Sequence, residues 1–537
     1  MGVSSRKRNG AGPWWQDAVL YQVYPRSFQD SNGDGIGDLE GIIERADYFS
    51  WLGVDAVWFS PFFTSPMIDF GYDVSNYLDI DPIFGTIADF DRMVAALHAR
   101  NIRVILDYVP NHTSDQHPWF VESRSSRENP RRDWYFWRDP APDGGPPNNW
   151  QSLAGGSSWE FDARTRQFYC HTFLKEQCDL NWRNPSVRDA MHDVLRFWLE
   201  RGVDGFRIDA VGCLAKDPDL RDDPPNPDFH PGDPPFARNL MVNSANGKDI
   251  MDFVGDIRSV VDQYPRDPVL IGEVYLKTGE IAPYYGPELG GLQLPTNFNL
   301  LWTPWKARPI LDVIAAYEAV LPKGAWPDWV MGNHDQPRIA SRLGKEQARI
   351  AMVMLLTLRG TPILYYGDEL GLENIEIPPG RLRDPFGLNM PGAGQGRDPE
   401  RCPMPWDETQ KAGFTSGDPW LPIGSNEPGS SVEAQRKDEG SMLSMTRQLL
   451  ALRREQPVLS RGSWSPLPIE GETLAYFRQL GKTRFAVLLN LESKLKRFSI
   501  AEISTGHVIF STHKRDRHQA IRQDIELAAN EGLIIAL

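Results

Sequence analysis

The chain predicts an α/β protein built on a (β/α)8 TIM barrel, and three observations carry that reading. Eight short apolar segments recur along residues 18–366. Amphipathic stretches with apolar residues at helical spacing lie between them. Acidic, basic and imidazole side chains collect at the C-terminal ends of several of these segments. Strands alternating with helices predict a parallel sheet, and eight repeats predict that it closes on itself. An open doubly wound sheet is the competing arrangement. No Gly-rich dinucleotide fingerprint follows the first apolar segment, which counts against it.

The predicted strands cover residues 18–24, 54–60, 103–109, 203–209, 269–274, 292–298, 329–332 and 361–366. The clearest intervening helices are 89–100, 187–201 and 347–358. Residues 113–180, rich in Trp, Pro, Asn and Gly, are too long for a loop and predict a small domain inserted after strand three. Their aromatics at 134–150 read as that domain's core before they read as sugar platforms. Residues 214–248, rich in Pro and Asp, predict a long irregular loop after strand four, and 373–420 another after strand eight. All three insertions leave C-terminal strand ends, the face where barrel enzymes build their sites. From about residue 462, short apolar runs separated by turn residues predict a C-terminal antiparallel β domain. The expected division is 1–112 with 181–461 for the barrel, 113–180 for the inserted domain and 462–537 for the β domain.

The length of 537 residues accommodates these units. A net charge of −15 argues against nucleic acid and anionic membrane surfaces as partners. Four cysteines, Cys170, Cys178, Cys213 and Cys402, form no CxxC pair, which favours a reducing cytoplasm. Arg6-Lys7-Arg8 is followed by no apolar h-region, and Gly2 lacks the Ser or Thr at position 6 that myristoylation requires. No apolar run is long enough to span a bilayer. The expectation is a cytoplasmic protein of unspecified oligomeric state, acting on small molecules.

The chemistry lies at the strand ends. Strand four closes on Gly205-Phe206-Arg207-Ile208-Asp209. Arg207 and Asp209 are two residues apart, so they point to the same side of the strand. The cation offsets the burial of the carboxylate and is expected to keep it ionised. A structural Arg–Asp pair would read the same way. Strand three ends Asp107-Tyr108-Val109-Pro110-Asn111-His112, strand five Gly272-Glu273-Val274, and strand seven Gly332-Asn333-His334-Asp335. Burial of Glu273 among carboxylates is expected to raise its pKa. Two carboxyls with separated pKa values are the ingredients of glycoside hydrolysis.

These four segments, in this order, resemble the signature regions of the α-amylase superfamily of glycoside hydrolases. Within it they are most similar to the oligo-1,6-glucosidase and α-glucosidase branch. Gln177-Cys178-Asp179-Leu180-Asn181 resembles that branch's QPDLN motif with Cys178 in place of Pro, and Met404-Pro405-Trp406 also looks like a branch feature. The resemblance runs from about Trp14 to Trp406 and more loosely beyond.

The resemblance implies Asp209 as nucleophile, Glu273 as general acid/base and Asp335 as the carboxylate that binds hydroxyls of the reacting glucose. It places His112, Arg207 and His334 around that glucose. Asp69-Phe70-Gly71-Tyr72 is similar to the segment whose Asp grips the far end of the sugar and whose Tyr stacks on it. Arg401 matches the Arg that pairs with that Asp, closing a dead-end pocket for a terminal glucose. Asp107 is expected to support its strand end.

Asp30-Ser31-Asn32-Gly33-Asp34-Gly35-Ile36-Gly37-Asp38 places oxygen ligands at alternate positions, as a hard cation requires. Position twelve of an EF-hand would be Gly41 rather than Glu, which argues against that motif. The resemblance implies structural Ca²⁺ or Mg²⁺ held by Asp30, Asn32, Asp34, Asp38 and the carbonyl of Ile36, with no organic cofactor. An Asp/Gly turn without metal is the alternative.

The implied function is a retaining α-glucosidase that releases glucose from short α-1,4-linked glucosides such as maltose, with transglucosylation. Sucrose isomerases, trehalose synthases and other glucosyl transferases would use the same residues. A non-catalytic relative would not retain all three acids, and a metal-dependent barrel hydrolase would want paired histidines after strand one, where Tyr24-Pro25-Arg26 stands. Ala210 follows the candidate nucleophile. The resemblance associates Val there with α-1,6 preference and smaller residues with α-1,4 preference.

Overall fold

The computed structural model describes residues 12–424, 427–500, 502–503 and 505–537. Gly2 and Arg6-Lys7-Arg8 lie outside them. The eight barrel strands are β1 (Leu20–Val23), β2 (Ala56–Phe59), β3 (Arg103–Tyr108), β4 (Gly205–Ile208), β5 (Val269–Val274), β6 (Leu294–Asn297), β7 (Asp328–Val330) and β8 (Thr361–Tyr365). They form one parallel sheet in the order β6-β5-β4-β3-β2-β1-β8-β7. The free edges of β6 and β7 pack against each other, so the barrel is nearly closed.

Alternation along each strand sorts the core into two layers. Leu20, Ala56, Trp58, Ile105, Val269, Ile271, Leu294, Val330 and Ile363 form one cluster inside the barrel. Their neighbours Tyr21, Val57, Val104, Phe206, Leu270 and Leu364 face outward into the larger core under the helices. Following the inward parity by two residues leads from Leu20 to Gln22, from Ile105 to Asp107 and from Ile271 to Glu273. The barrel interior therefore turns polar at its C-terminal end.

The helices follow their local signals. Ile87–Ala99 starts at a capping box in which Thr86 and Asp89 satisfy each other's backbone N–H groups. Pro185–Glu200 opens with Asn184 as cap and Pro at the first turn. Lys345–Thr357 is apolar on nearly every face because it lies between the barrel and the C-terminal sheet.

Between β3 and β4 the chain forms a two-stranded pairing of His112–Ser114 with Gln177–Asp179 and a three-stranded antiparallel sheet. Phe136, Trp150, Trp159 and Phe168 make a cluster of their own there, so this segment's aromatics are core. The C-terminal strands form a six-stranded antiparallel sheet and a separate two-stranded one. Tyr476, Phe485 and Val487 face the barrel, while Phe477, Ala486 and Leu488 pack on the other side. No helix among the described residues is long and apolar enough to cross a membrane.

Candidate active site

Strand register assembles the charged centre. Arg207 on β4 lies opposite Asp107 on β3 and opposite Ile271 on β5, two residues before Glu273. One guanidinium then serves three carboxylates. Arg207 Nη1 is 2.8 Å from Asp107 Oδ1 and 2.6 Å from Asp209 Oδ1, and Nη2 is 2.6 Å from Glu273 Oε1. Trp58 lies beneath the cation, 5.1 Å from its ring centroid. Glu273 Oε2 accepts the N–H of Ala210, 2.7 Å away. Ala210 reaches that position in a left-handed conformation, φ 44° and ψ 40°, which is uncommon for a residue with a side chain. The turn after Asp209 thus connects the two candidate reacting carboxyls.

Three buried carboxylates around one cation leave an excess of negative charge. Burial pushes Glu273 up to about 8, against the pull of Arg207. Burial likewise pushes Asp209 up to about 7 and Asp107 up to about 6, again opposed by Arg207. The sequence expectation that Asp209 stays fully ionised beside Arg207 is corrected here: the arginine is shared, so burial outweighs it.

Asp335 behaves oppositely. Burial works against its charge, but His334, Arg397, Arg401 and Arg207 together hold its carboxyl well below the usual range. Arg401 Nη2 lies 2.8 Å and Arg397 Nη1 3.2 Å from Asp335 Oδ1. His334 Nε2 is 3.3 Å from Asp335 Oδ2 and 2.7 Å from the Tyr72 hydroxyl, which donates to Asp107 at 3.0 Å. Gln22 Nε2 reaches His334 Nδ1 at 2.8 Å. The ring planes of Tyr72 and His334 are parallel within 1°.

Asp69 is where the structure departs from expectation. Its partner is Arg397, with Nη2 2.6 Å from Asp69 Oδ1, and not Arg401. Arg397 precedes the short 3-10 turn Asp398–Arg401, lies over the Phe386 ring at 4.1 Å and also pairs with Asp384 at 2.7 Å. Arg401, fully buried beneath Tyr24, is directed to Asp335 and to the His334 carbonyl, 2.8 Å from its Nε. Both arginines reach Asp335, and only Arg397 reaches Asp69 as well. Gln177 Nε2 holds the other oxygen of Asp69 at 3.1 Å.

Asp209, Glu273, Asp335, Asp69, Tyr72, His112, Arg207, His334 and Arg401 are all joined by this network or by one further hydrogen bond from it. Sequence reasoning missed Arg397, Gln22, Asn111 and Lys216. An excess of carboxylates over cations at the mouth was the available signal for a second arginine. Fully buried Lys216, seven residues after Asp209, had no such signal.

The wall beyond the carboxyls is apolar. Ala210, Cys213 and Ala245 cluster with Phe173 and Met241. Tyr275, two residues after Glu273, stacks on Phe298 at 4.3 Å and leans on Trp302 at 5.6 Å. The three insertions meet around a cavity of about 470 Å³ lined by Ala154, Gly155, Pro235 and Met390. Asn149 ties the first two together by donating to Asp222 and Asp223 and accepting from Asp223.

The loop 30–38 keeps oxygen atoms at alternate positions and is closed by its own hydrogen bonds. Asp30 Oδ1 accepts from Asn32 and Gly33, Asn32 from Asp34, and Asp34 from Ile36. Asp38 caps the helix Leu39–Glu44 by accepting from Gly41 and turns its other oxygen to Ser31. The donor types fit a hard cation. Among the described residues, however, no three acidic, His or Cys side chains converge as a ready metal cluster.

Comparison with known proteins follows the same lines. The family model described as alpha amylase, catalytic domain, matches residues 22–462. A probable alpha-glucosidase of Rhizobium meliloti (strain 1021) is 42% identical over 497 residues, covering 90% of both chains. An oligo-1,6-glucosidase of Parageobacillus thermoglucosidasius is 37% identical over 543 residues, covering 93% of both. The crystal structure of an alpha-glucosyl transfer enzyme, XgtA, superposes with a TM-score of 0.92 at 39% identity, covering 98% of this chain and 99% of that one. A trehalulose synthase, MutB, superposes with a TM-score of 0.90 at 33% identity, covering 98% of this chain and all of that one. With a barrel, a charged centre and a family match that spans both, the chain belongs to the alpha-amylase catalytic-domain family.

Proposed function

We propose that the protein is a retaining α-glucosidase that cleaves terminal α-1,4-linked glucose from short oligosaccharides such as maltose and also transfers glucose. The observation that carries this reading is Arg207, which holds Asp209 on one nitrogen and Glu273 on the other. A retaining mechanism needs its two carboxyls close, about 5–5.5 Å apart. Two carboxylates bridged by one guanidinium support that closeness. In the first step Asp209 attacks the anomeric carbon while protonated Glu273 gives its proton to the leaving oxygen. A covalent glucosyl–Asp209 intermediate forms and the aglycone departs. In the second step ionised Glu273 takes a proton from water or an acceptor hydroxyl, which displaces Asp209 and retains the anomeric configuration. Asp335, held anionic by two arginines, is placed to accept hydrogen bonds from sugar hydroxyls. Asp69 with Arg397 closes the far end.

Isomerisation or transfer remains a second reading, supported by the likeness to XgtA and MutB. The apolar wall of Phe173, Met241 and the Tyr275–Phe298–Trp302 stack supports retention of an acceptor against water. The product profile from maltose, isomaltose and sucrose separates the two readings. Free glucose as the main product supports hydrolysis, and new disaccharides support transfer. Asp209→Asn is expected to remove turnover. A variant that keeps more than about a tenth of kcat, about 1.4 kcal/mol in barrier, refutes the role of Asp209. We also propose a cytoplasmic location, supported by four free and buried cysteines. The loop 30–38 is proposed to hold one Ca²⁺ or Mg²⁺ as a structural ion, supported by its alternating oxygen donors.

A further inference from the structure

Lys216 is fully buried, and nothing in the proposed chemistry uses it. Its three ammonium protons have three acceptors: Cys213 O at 2.7 Å, Asp179 Oδ2 at 3.0 Å and Asn111 Oδ1 at 3.3 Å. Asn111 therefore lies between a group that can only donate and a carboxylate that can only accept. Its amide nitrogen faces Asp179 Oδ1 at 3.0 Å and His112 Nδ1 at 3.1 Å. The flipped amide would set NH₂ against ammonium and carbonyl against carboxylate.

With the amide so fixed, its second proton points at His112 Nδ1, which must be the unprotonated acceptor. The imidazole proton is then on Nε2, 3.0 Å from the Tyr72 carbonyl. Gln177 Nε2 lies 3.2 Å from the same imidazole nitrogen and donates one proton to Asp69 Oδ2 at 3.1 Å. The bond to Tyr72 matters, because the Tyr72 hydroxyl holds both Asp107 and His334.

We propose that Lys216 is a positioning residue: it locks the Asn111 amide and so keeps the His112 proton on Nε2, where it anchors Tyr72 beside the reacting carboxyls. The chain runs from the loop after the candidate nucleophile, through Asp179 of the inserted segment, to the opposite wall of the pocket. The ionised state of Asp179 belongs to the same device. Burial opposes its charge, and Lys216 and Thr172 hold its carboxyl below the ordinary value. Neutral His112 fits as well, since burial lowers its pKa to about 4.

The test reads the tautomer directly, by ¹⁵N NMR of histidine-labelled protein without substrate. Only its kinetic arm rests on the glucosidase reading, so failure of one is distinguishable from failure of the other. Lys216→Met is expected to bring His112 into a mixture of Nδ1–H and Nε2–H forms and to lower kcat/KM for maltose at least tenfold. Lys216→Arg is expected to restore the Nε2–H form. If Lys216→Met does not fold, the paired change Lys216→Met with Asp179→Asn removes both buried charges together and leaves Asn111 free to turn. Retention of a pure Nε2–H tautomer in whichever of these variants folds overturns the proposal and reduces Lys216 to a clamp between segments.

Discussion

Arg397 stands 2.6 Å from Asp69 and shares Asp335 with Arg401, so one arginine reaches both carboxylates while the other reaches Asp335 and the His334 carbonyl. This division predicts different kinetic losses. Arg397→Ala leaves Asp69 buried without its cation and should raise KM for maltose at least tenfold, with a smaller change in kcat. Arg401→Ala should lower kcat more than it raises KM, because Asp335 loses the partner that aims it. Removing one member of a buried pair costs about 3–5 kcal/mol, so melting temperatures are measured alongside. Equal losses in both variants, or the reverse pattern, refute the division.

The pH dependence follows from the shared Arg207. In the proposed mechanism attack needs Asp209 ionised, and departure of the aglycone needs Glu273 protonated. Activity should therefore rise as pH passes through about 7, where Asp209 ionises, and fall through about 8, where Glu273 does. The two limbs belong to the coupled pair, and kcat/KM reports them for the free enzyme. Glu273→Gln removes the alkaline limb. With an activated aryl glucoside it should still form the glucosyl–enzyme, since such a leaving group needs little protonation. A fall above pH 8 that persists in Glu273→Gln assigns that limb to another group.

The barrel was legible because its strands are short apolar runs, buried on both sides and followed by helices. Seven of the eight predicted strands contain an observed one, the remaining one, β7, begins a residue before its predicted start at Asp328, and β5 matches residue for residue. Asp209, Glu273 and Asp335 were legible because barrel geometry brings strand ends together whatever lies between them. Arg397 was not. Which of two arginines four residues apart reaches Asp69 depends on the 3-10 turn between them, and local sequence does not encode which way such a turn faces. Lys216 was hidden for a similar reason. It lies in an irregular segment, and only the docking of the inserted strands turns it inward onto Asp179. The pKa of Asp209 was misjudged because the sequence pairs Arg207 with one carboxylate, whereas the register of β3, β4 and β5 gives it three.

Metal removal tests the loop 30–38. A bound Ca²⁺ or Mg²⁺ at a hundred times its dissociation constant would contribute about 2.7 kcal/mol. Chelation should then lower the melting temperature, and re-addition of the cation should restore it. Initial rates measured below the lowered transition should not change. Absence of any metal by elemental analysis, in protein purified without chelator, refutes a resident ion and leaves the loop an Asx-stabilised turn.

Ala210 gives the sharpest test of linkage choice, and its backbone complicates the simplest form of that test. In the proposed reading an Ala leaves room beside the leaving sugar where a branched side chain would press, so maltose is expected to be preferred over isomaltose. A methyl-scale difference is worth about 1–3 kcal/mol of discrimination. Yet Ala210 sits at φ 44° and gives its N–H to Glu273. A β-branched residue is strained there, at roughly 1–2 kcal/mol. Ala210→Val should therefore lose kcat on both substrates, lower the melting temperature and shift the kcat/KM ratio toward isomaltose. Ala210→Gly relieves the strain and widens the space, so it should keep its stability and shift the ratio further toward maltose. The volume account requires opposite shifts from the two substitutions. If both move the ratio in the same direction, the effect comes from the Glu273 contact; if wild type already prefers isomaltose, the account fails outright.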